Sequence, residues 1–284
     1  MAATSEKNMS EDLPEREKAH KVTVPELRDR KLCGPSIAMV TAYDYTMARL
    51  VDEAGVDIVL VGDSLGMVVQ GMPNTLSVTV EEICYHGRIV ARAVQRAHLV
   101  GDMPFMSFQV SAAQAVENAG KMMKEGAFES VKLEGGVDVA EHVYRIVAAG
   151  IPVMGHIGLT PQHVHALGGY KVQGRDEAAR EKVLADARAV QEAGAFAVVL
   201  EAIPSELARE IGGILSIPTI GIGAGPHCDG QVLVLHDLLG LFDRFTPKFV
   251  KRYASLKDEA LRAVKEYKKE VESGEFPTEE QSFK

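Results

Sequence analysis

Apolar residues along the chain gather in short unbroken runs, and between the runs they recur every three or four positions. Unbroken runs fit strands covered on both faces, as in a parallel sheet, and the three-to-four spacing fits amphipathic helices. Four segments show the unit: "EAGVDIVLVGD" (53 to 63), "KEGAFESVKLEGG" (124 to 136), "AAGIPVMGHIG" (148 to 158) and "EAGAFAVVLEA" (192 to 202). Each reads as a helix ending in glycine (Gly55, Gly126, Gly150, Gly194), a strand, and a polar or ionisable residue at the strand's end. Glycine suits a helix C-terminus because left-handed backbone costs it nothing.

Further strands are predicted in "SIAMVTAYD" (36 to 44), "AHLVGDMPF" (97 to 105), "IPTIGIGAG" (217 to 225) and "QVLVLHD" (231 to 237). Capping boxes Thr79-x-x-Glu82 and Ser111-x-x-Gln114 open two of the intervening helices. Eight strands alternating with helices in about 240 residues predict a (βα)8 TIM barrel, with a doubly wound open sheet as the alternative. Residues 225 to 231 leave no room for a helix, so the final strand pair is the weakest part of that prediction. Beyond residue 245 the pattern becomes charged and helical, suiting an outer or subunit-bridging helix.

Active sites of such barrels lie at the C-terminal ends of the strands. Those ends carry Asp44, Asp63, Asp102, Glu134, His156, Glu201, the glycines of "GIGAG" and His236-Asp237, with Lys132 two residues before Glu134. A single polar residue there is as easily a turn former, whereas a ring of them points to a site. Asp63, Asp102 and Glu134 would end three successive strands and converge on a hard cation such as Mg²⁺, whose charge would relieve their mutual repulsion. Lys132 shares a face with Glu134 and would meet an anionic substrate, or else be tied into a structural ion pair. Glu201, set across the ring on an apolar strand, is placed as a general base. His156 is an auxiliary that orients substrate or shuttles a proton, or a hydrogen-bonded structural histidine. Residues 165 to 175, with Gly168, Gly169 and Gly174, read as a mobile loop over the rim or a plain surface loop.

Composition narrows the partners. A net charge of -9 over 284 residues argues against nucleic acid or anionic membrane, which would need a basic face. No apolar run is long enough to span a bilayer. Three scattered cysteines, Cys33, Cys84 and Cys228, fit a reducing, cytoplasmic setting. The first twenty residues carry five acids and no apolar core, and are expected to form a mobile polar tail before a single domain over 21 to 284.

The blocks "TAYDYTMARL", "VGDSLGMVVQG", "GDMPFMS", "VKLEGG", "GHIGLTPQ", "GGYKVQGR", "VLEAIP", "IGIGAGPHCDGQVLVLHD" and "ESGEFPTEEQSF", in this order, resemble the 3-methyl-2-oxobutanoate (ketopantoate) hydroxymethyltransferase family. The resemblance implies a barrel like that of phosphoenolpyruvate mutase and isocitrate lyase, with extra terminal helices. It implies transfer of a hydroxymethyl group from 5,10-methylenetetrahydrofolate to 3-methyl-2-oxobutanoate, giving 2-dehydropantoate in pantothenate and coenzyme A biosynthesis. Carried over residue by residue, it implies Mg²⁺ on Asp63, Asp102 and Glu134. Asp63, Ser64, Asp102 and Lys132 would hold the keto acid, and Glu201 would accept the proton. It also implies a large homo-oligomer, a decamer-like ring. The alternatives are another Mg²⁺-enolate barrel enzyme, a C–C lyase or phosphonomutase, and a non-catalytic keto-acid or metal-binding module.

Overall fold

The computed structural model describes residues 20–283, so all of the expected tail except His20 lies outside the described residues. Eight parallel strands close into a barrel in chain order: β1 (Ile37–Thr41), β2 (Ile58–Val61), β3 (His98–Asp102), β4 (Ser130–Glu134), β5 (Val153–Gly158), β6 (Ala197–Glu201), β7 (Thr219–Ile222) and β8 (Gly230–Leu233). β8 pairs with β1 from Ile37↔Gly230 to Val40↔Leu233, which excludes the open-sheet alternative.

The unbroken apolar runs follow from this layout. Outward residues such as Val59, Val61, Leu99, Val131, Leu133, Val153, Val198 and Leu200 pack into one core with the surrounding helices. Inward residues alternate with them. Near the N-terminal ends they are Ile37, Met39, Ile58, Val100, Met154, Val199 and Ile220, sealed from below by Val22 and by Leu27 of the helix Val24–Asp29. One step further along the inner face, the apolar residues give way to Asp102, Lys132, Glu134, His156 and Glu201. A strand that is apolar outside throughout and apolar inside only at its base is nearly continuous in hydropathy until its last residue.

β7 and β8 are joined by residues 223 to 229 alone, without a helix. Parallel neighbours ordinarily need a longer crossover. Here Ile220 pairs with Gly230, so β8 begins opposite the middle of β7 and the chain has little distance to retrace. Seven residues, reaching up to about 24 Å when extended, are ample.

Predicted caps are largely present. Thr79 and Glu82 form the reciprocal box at the head of helix Val80–Ala91. Ser111 accepts from the Gln114 amide at 3.1 Å, but Gln114 turns its own oxygen to Val110 N, so the second box is half made. Gly55, Gly150 and Gly194 take the left-handed conformation at helix ends. Gly126 does not: helix Ala112–Gly126 runs through it, and Ala127 adopts φ 59° instead. Gly126 is needed for a different reason. With Gly87 and Gly101 it forms a socket for the Phe128 ring, whose atoms lie 2.4, 2.7 and 2.4 Å from Cβ atoms built at Gly87, Gly101 and Gly126 respectively.

The helix Leu256–Ser273 buries no residue, and Leu261, Val264, Tyr267 and Val271 are exposed on it. Among the described residues no helix is long and apolar enough to cross a membrane.

Candidate active site

Strand register builds the site. Asp102 is the Cα partner of Lys132, Glu134 of His156, and Gly158 of Glu201, so one ionisable residue follows the next around β3 to β6. Asp63 lies just beyond β2, and its amide donates to Asp102 Oδ2 at 3.1 Å. All six side chains line one cavity of about 780 Å³ that opens at the C-terminal rim.

Lys132 is the only cation in this buried group. Its Nζ lies 2.7 Å from Asp102 Oδ1 and 3.3 Å from His156 Nδ1. Burial opposes its charge, but the carboxylates of Asp102, Glu134 and Asp63 outweigh that and raise its pKa. The ammonium has no lone pair to accept with, so His156 Nδ1 is the acceptor and the ring proton resides on Nε2. Burial and the neighbouring Lys132 push the imidazole pKa well down, keeping the ring neutral. Nε2 lies 3.0 Å from Glu201 Oε2, off the hydrogen-bonding direction.

Each of three carboxyls is harder to ionise than usual. Burial, then the Asp102 charge, push Asp63 up to about 7. Burial and the Asp63 charge raise Glu134 well above the carboxylate range. Glu201 is pushed up to about 8, by burial chiefly, with Lys132 opposing. Its side chain keeps 15% of its surface exposed, towards the cavity, so it is desolvated yet within reach of a ligand.

Gln162 was not singled out from the sequence, although it closes the quoted block "GHIGLTPQ". Pro161 opens the short 3-10 turn Pro161–His163, which turns Gln162 inward. Its amide N–H donates to Glu134 Oε2, and its side-chain Nε2 donates to Asp63 Oδ2 and Met103 O, each at 3.0 Å. Ser64 accepts from or donates to Tyr43 Oη at 2.7 Å and lines the cavity. Asp44 stays outside the site, since its carboxylate caps helix Tyr45–Glu53 through Met47 N.

The structure differs from the three-ligand expectation for a cation. Among the described residues no three His, Cys, Asp or Glu side chains converge as a ligand set. Asp63 and Asp102 adjoin, and Gln162 bonds to both Asp63 and Glu134. Two carboxylates still suit Mg²⁺, which takes one or two from protein and fills its octahedron with water and substrate oxygens. Asp102 Oδ1, buried with no aligned hydrogen-bond donor, leaves a lone pair free for such an ion.

The glycines of "GIGAG" serve the chain itself. A Cβ at Gly223 would stand 2.7 Å from the Phe249 ring, and one at Gly225 2.4 Å from Ser205 Oγ. Gly66, after Ser64, makes room for Val78, and Gly71 takes φ 73° in a turn. The loop 165 to 175 does reach the rim, where Tyr170 and Val172 line the cavity.

The sequence profile described as Ketopantoate hydroxymethyltransferase matches residues 21–279. The chain belongs to this family. The 3-methyl-2-oxobutanoate hydroxymethyltransferase of Pelobacter propionicus is 59% identical over 263 residues, covering 93% of this chain and 97% of that protein. As a member of the ketopantoate hydroxymethyltransferase family the chain is a transferase, its relatives being named for hydroxymethyl transfer. Its barrel is similar to that of 2,3-dimethylmalate lyase, a PEP mutase/isocitrate lyase superfamily member, with TM-score 0.57 and 15% identity over 92% of this chain and 91% of that one. It is also similar to phosphonopyruvate hydrolase in complex with oxalate and Mg²⁺, with TM-score 0.59 and 12% identity over 88% and 87%. At such identities the likeness is one of fold.

Proposed function

We propose that this chain transfers a one-carbon unit from 5,10-methylenetetrahydrofolate to C3 of 3-methyl-2-oxobutanoate, forming 2-dehydropantoate, with Mg²⁺ as cofactor. The observation that carries the reading is Glu201: a carboxyl pushed up to about 8 by burial, facing a cavity it shares with Lys132 and two adjacent aspartates. A base with a pKa near the working pH transfers protons most effectively.

The keto acid is an anion, and Lys132 supplies the buried positive charge that receives it. Ser64 offers a hydroxyl to the same ligand. Glu201 takes the proton from C3, the resulting enolate carbon then bonds to the donor's methylene, and water supplies the hydroxyl oxygen of the product while tetrahydrofolate leaves. His156, neutral and fixed by Lys132 as the Nε2–H tautomer, is an auxiliary that places a donor beside Glu201. Asp63 and Asp102, with Glu134 beside them, would hold Mg²⁺. When bound, the ion stabilises negative charge on the keto oxygen. The Mg²⁺ of the phosphonopyruvate hydrolase complex, on the same fold, supports this choice.

The apolar residues displayed by helix Leu256–Ser273 support a homo-oligomer, and the three free cysteines support a cytoplasmic setting. Light scattering that returned a monomer would remove the first.

The test is Mg²⁺-dependent deuterium exchange at C3 of 3-methyl-2-oxobutanoate, followed by NMR, then addition of the folate donor and detection of 2-dehydropantoate. Glu201→Gln is expected to lose exchange by about 10²-fold or more. Exchange as fast as in the parent removes Glu201 as the base. Asp63→Asn and Asp102→Asn should weaken Mg²⁺ in calorimetric titration, and unchanged affinity in both removes the metal assignment. A C–C lyase would instead cleave its product without any folate.

A further inference from the structure

The cavity is far larger than the keto acid requires. An eight-heavy-atom anion, at no more than about 30 Å³ per heavy atom, fills at most about 240 Å³. The cavity offers about 780 Å³. Free formaldehyde, the smallest one-carbon donor, would take about 60 Å³ on the same basis and leave most of the space idle.

The unused part has a distinctive wall. Residues 242 to 249 contribute Phe242, Phe245, Pro247, Lys248 and Phe249 to the cavity that also holds Lys132 and Glu201. Three of the chain's nine phenylalanines fall in these eight residues. Phe245 is 67% and Phe249 38% exposed, which is apolar surface facing solvent beside a charged pocket. The wall is also anchored. Arg244 Nη1 donates to Gly71 O at 2.8 Å, Arg252 Nη2 to Phe242 O at 3.3 Å, and Tyr253 N to Leu238 O at 2.8 Å. Phe249 is seated on Gly223 by the close approach described above. Among the described residues Lys248 is engaged in no ion pair.

We propose that this wall is the seat of the one-carbon carrier: a planar heteroaromatic ring system lies against Phe245 and Phe249, and its anionic tail passes Lys248. The proposal rests on the functional reading above, and it adds where the carrier binds. Stacking suits a flat bicyclic ring, because aromatic faces gain from offset contact beyond the area they bury. In a protein of net charge -9, an unpaired lysine at the rim is a local attraction for a carboxylate tail. The continuity of the cavity brings a carrier in this position next to Glu201 and the keto acid without any further motion of the wall.

The chain contains no tryptophan, so one introduced there reports alone. Phe245→Trp is titrated with tetrahydrofolate in the presence of Mg²⁺ and keto acid, alongside Leu32→Trp, an exposed position at the opposite end of the barrel that corrects for absorption by the ligand. Calorimetry on the unsubstituted protein records whether tetrahydrofolate binds at all. Saturable quenching at 245 exceeding that at 32 is the expected result. Calorimetric binding with equal quenching at both positions overturns the proposed seat. Absence of calorimetric binding overturns the folate reading itself, a distinguishable failure. Phe245→Ala should weaken tetrahydrofolate about twofold to twelvefold while the keto acid KM stays put. A change in the keto acid KM alone would also count against the wall.

Discussion

Replacing Glu201 by Gln should make the protein more stable as well as less active, and by an amount that depends on pH. Unfolded, a glutamate titrates near 4.5, whereas here burial moves the group up to about 8. Between those values the folded form keeps a proton that the unfolded form has released. Stability therefore falls as pH rises through this window, by about 1.4 kcal/mol per unit. At pH 7 the cost is about 3 kcal/mol, and at pH 8 it is about 4 kcal/mol. Glutamine is neutral and of the same shape, so the variant escapes that cost. Urea denaturation of metal-free parent and Glu201→Gln proteins at pH 4.5, 7 and 8 should show a gap near zero at the lowest pH that widens upward. The same shift means the parent carries about one-tenth of the ionised base at pH 7, so exchange at C3 should climb nearly tenfold per unit below pH 8. A stability gap that stays constant with pH would refute the assignment of a desolvated, proton-holding Glu201.

Gln162→Leu keeps the volume but removes the donor to Asp63 and Met103 O; an expected loss of about 1–3 kcal/mol in urea unfolding should come with weaker Mg²⁺ titration. Gly155→Ala places a Cβ 2.3 Å from Val190 Cγ1 and should cost about 1–3 kcal/mol in thermal unfolding, partly recovered by Val190→Ala. Asp52→Ala strips the acceptor shared by the amides of Gln95, Arg96 and Ala97 and should lower the melting temperature with exchange kinetics intact, whereas Asp52→Asn retains part of the loss.

The barrel was legible because its units repeat. Gly55, Gly150 and Gly194 mark helix ends, and the register of β3 to β6 carries Asp102, Lys132, Glu134, His156 and Glu201 to one rim, as their placement at strand ends implied. Less legible was everything that depends on contacts between distant segments. Gln162 sits 99 residues from Asp63, and no local pattern announces that its side chain reaches Asp63 while its backbone amide reaches Glu134. Asp44 shares the strand-end position of the others, yet it caps the following helix, a choice made by its own backbone and Met47. The phenylalanines of 242 to 249 lie in a segment with neither strand nor helix periodicity, so their gathering at the rim is a product of the fold.

The Phe128 socket gives this family of contacts a genetic dimension. Gly87, Gly101 and Gly126 come from two helices and a strand far apart in the chain, but each is kept small by the same ring. None of the three can acquire a side chain while Phe128 remains; a smaller residue at 128 would free Gly101 and Gly126, whereas a Cβ at Gly87 would still stand 2.6 Å from Gly126 O. Gly101, Gly126 and Phe128 therefore behave as one locus under selection, while Gly87 is held small by backbone as well. Drift at any of them alone is deleterious, and paired changes open routes that single changes close. A mutational scan should show this as strong epistasis of Phe128 with Gly101 and with Gly126, and no rescue of Gly87 by any change at 128.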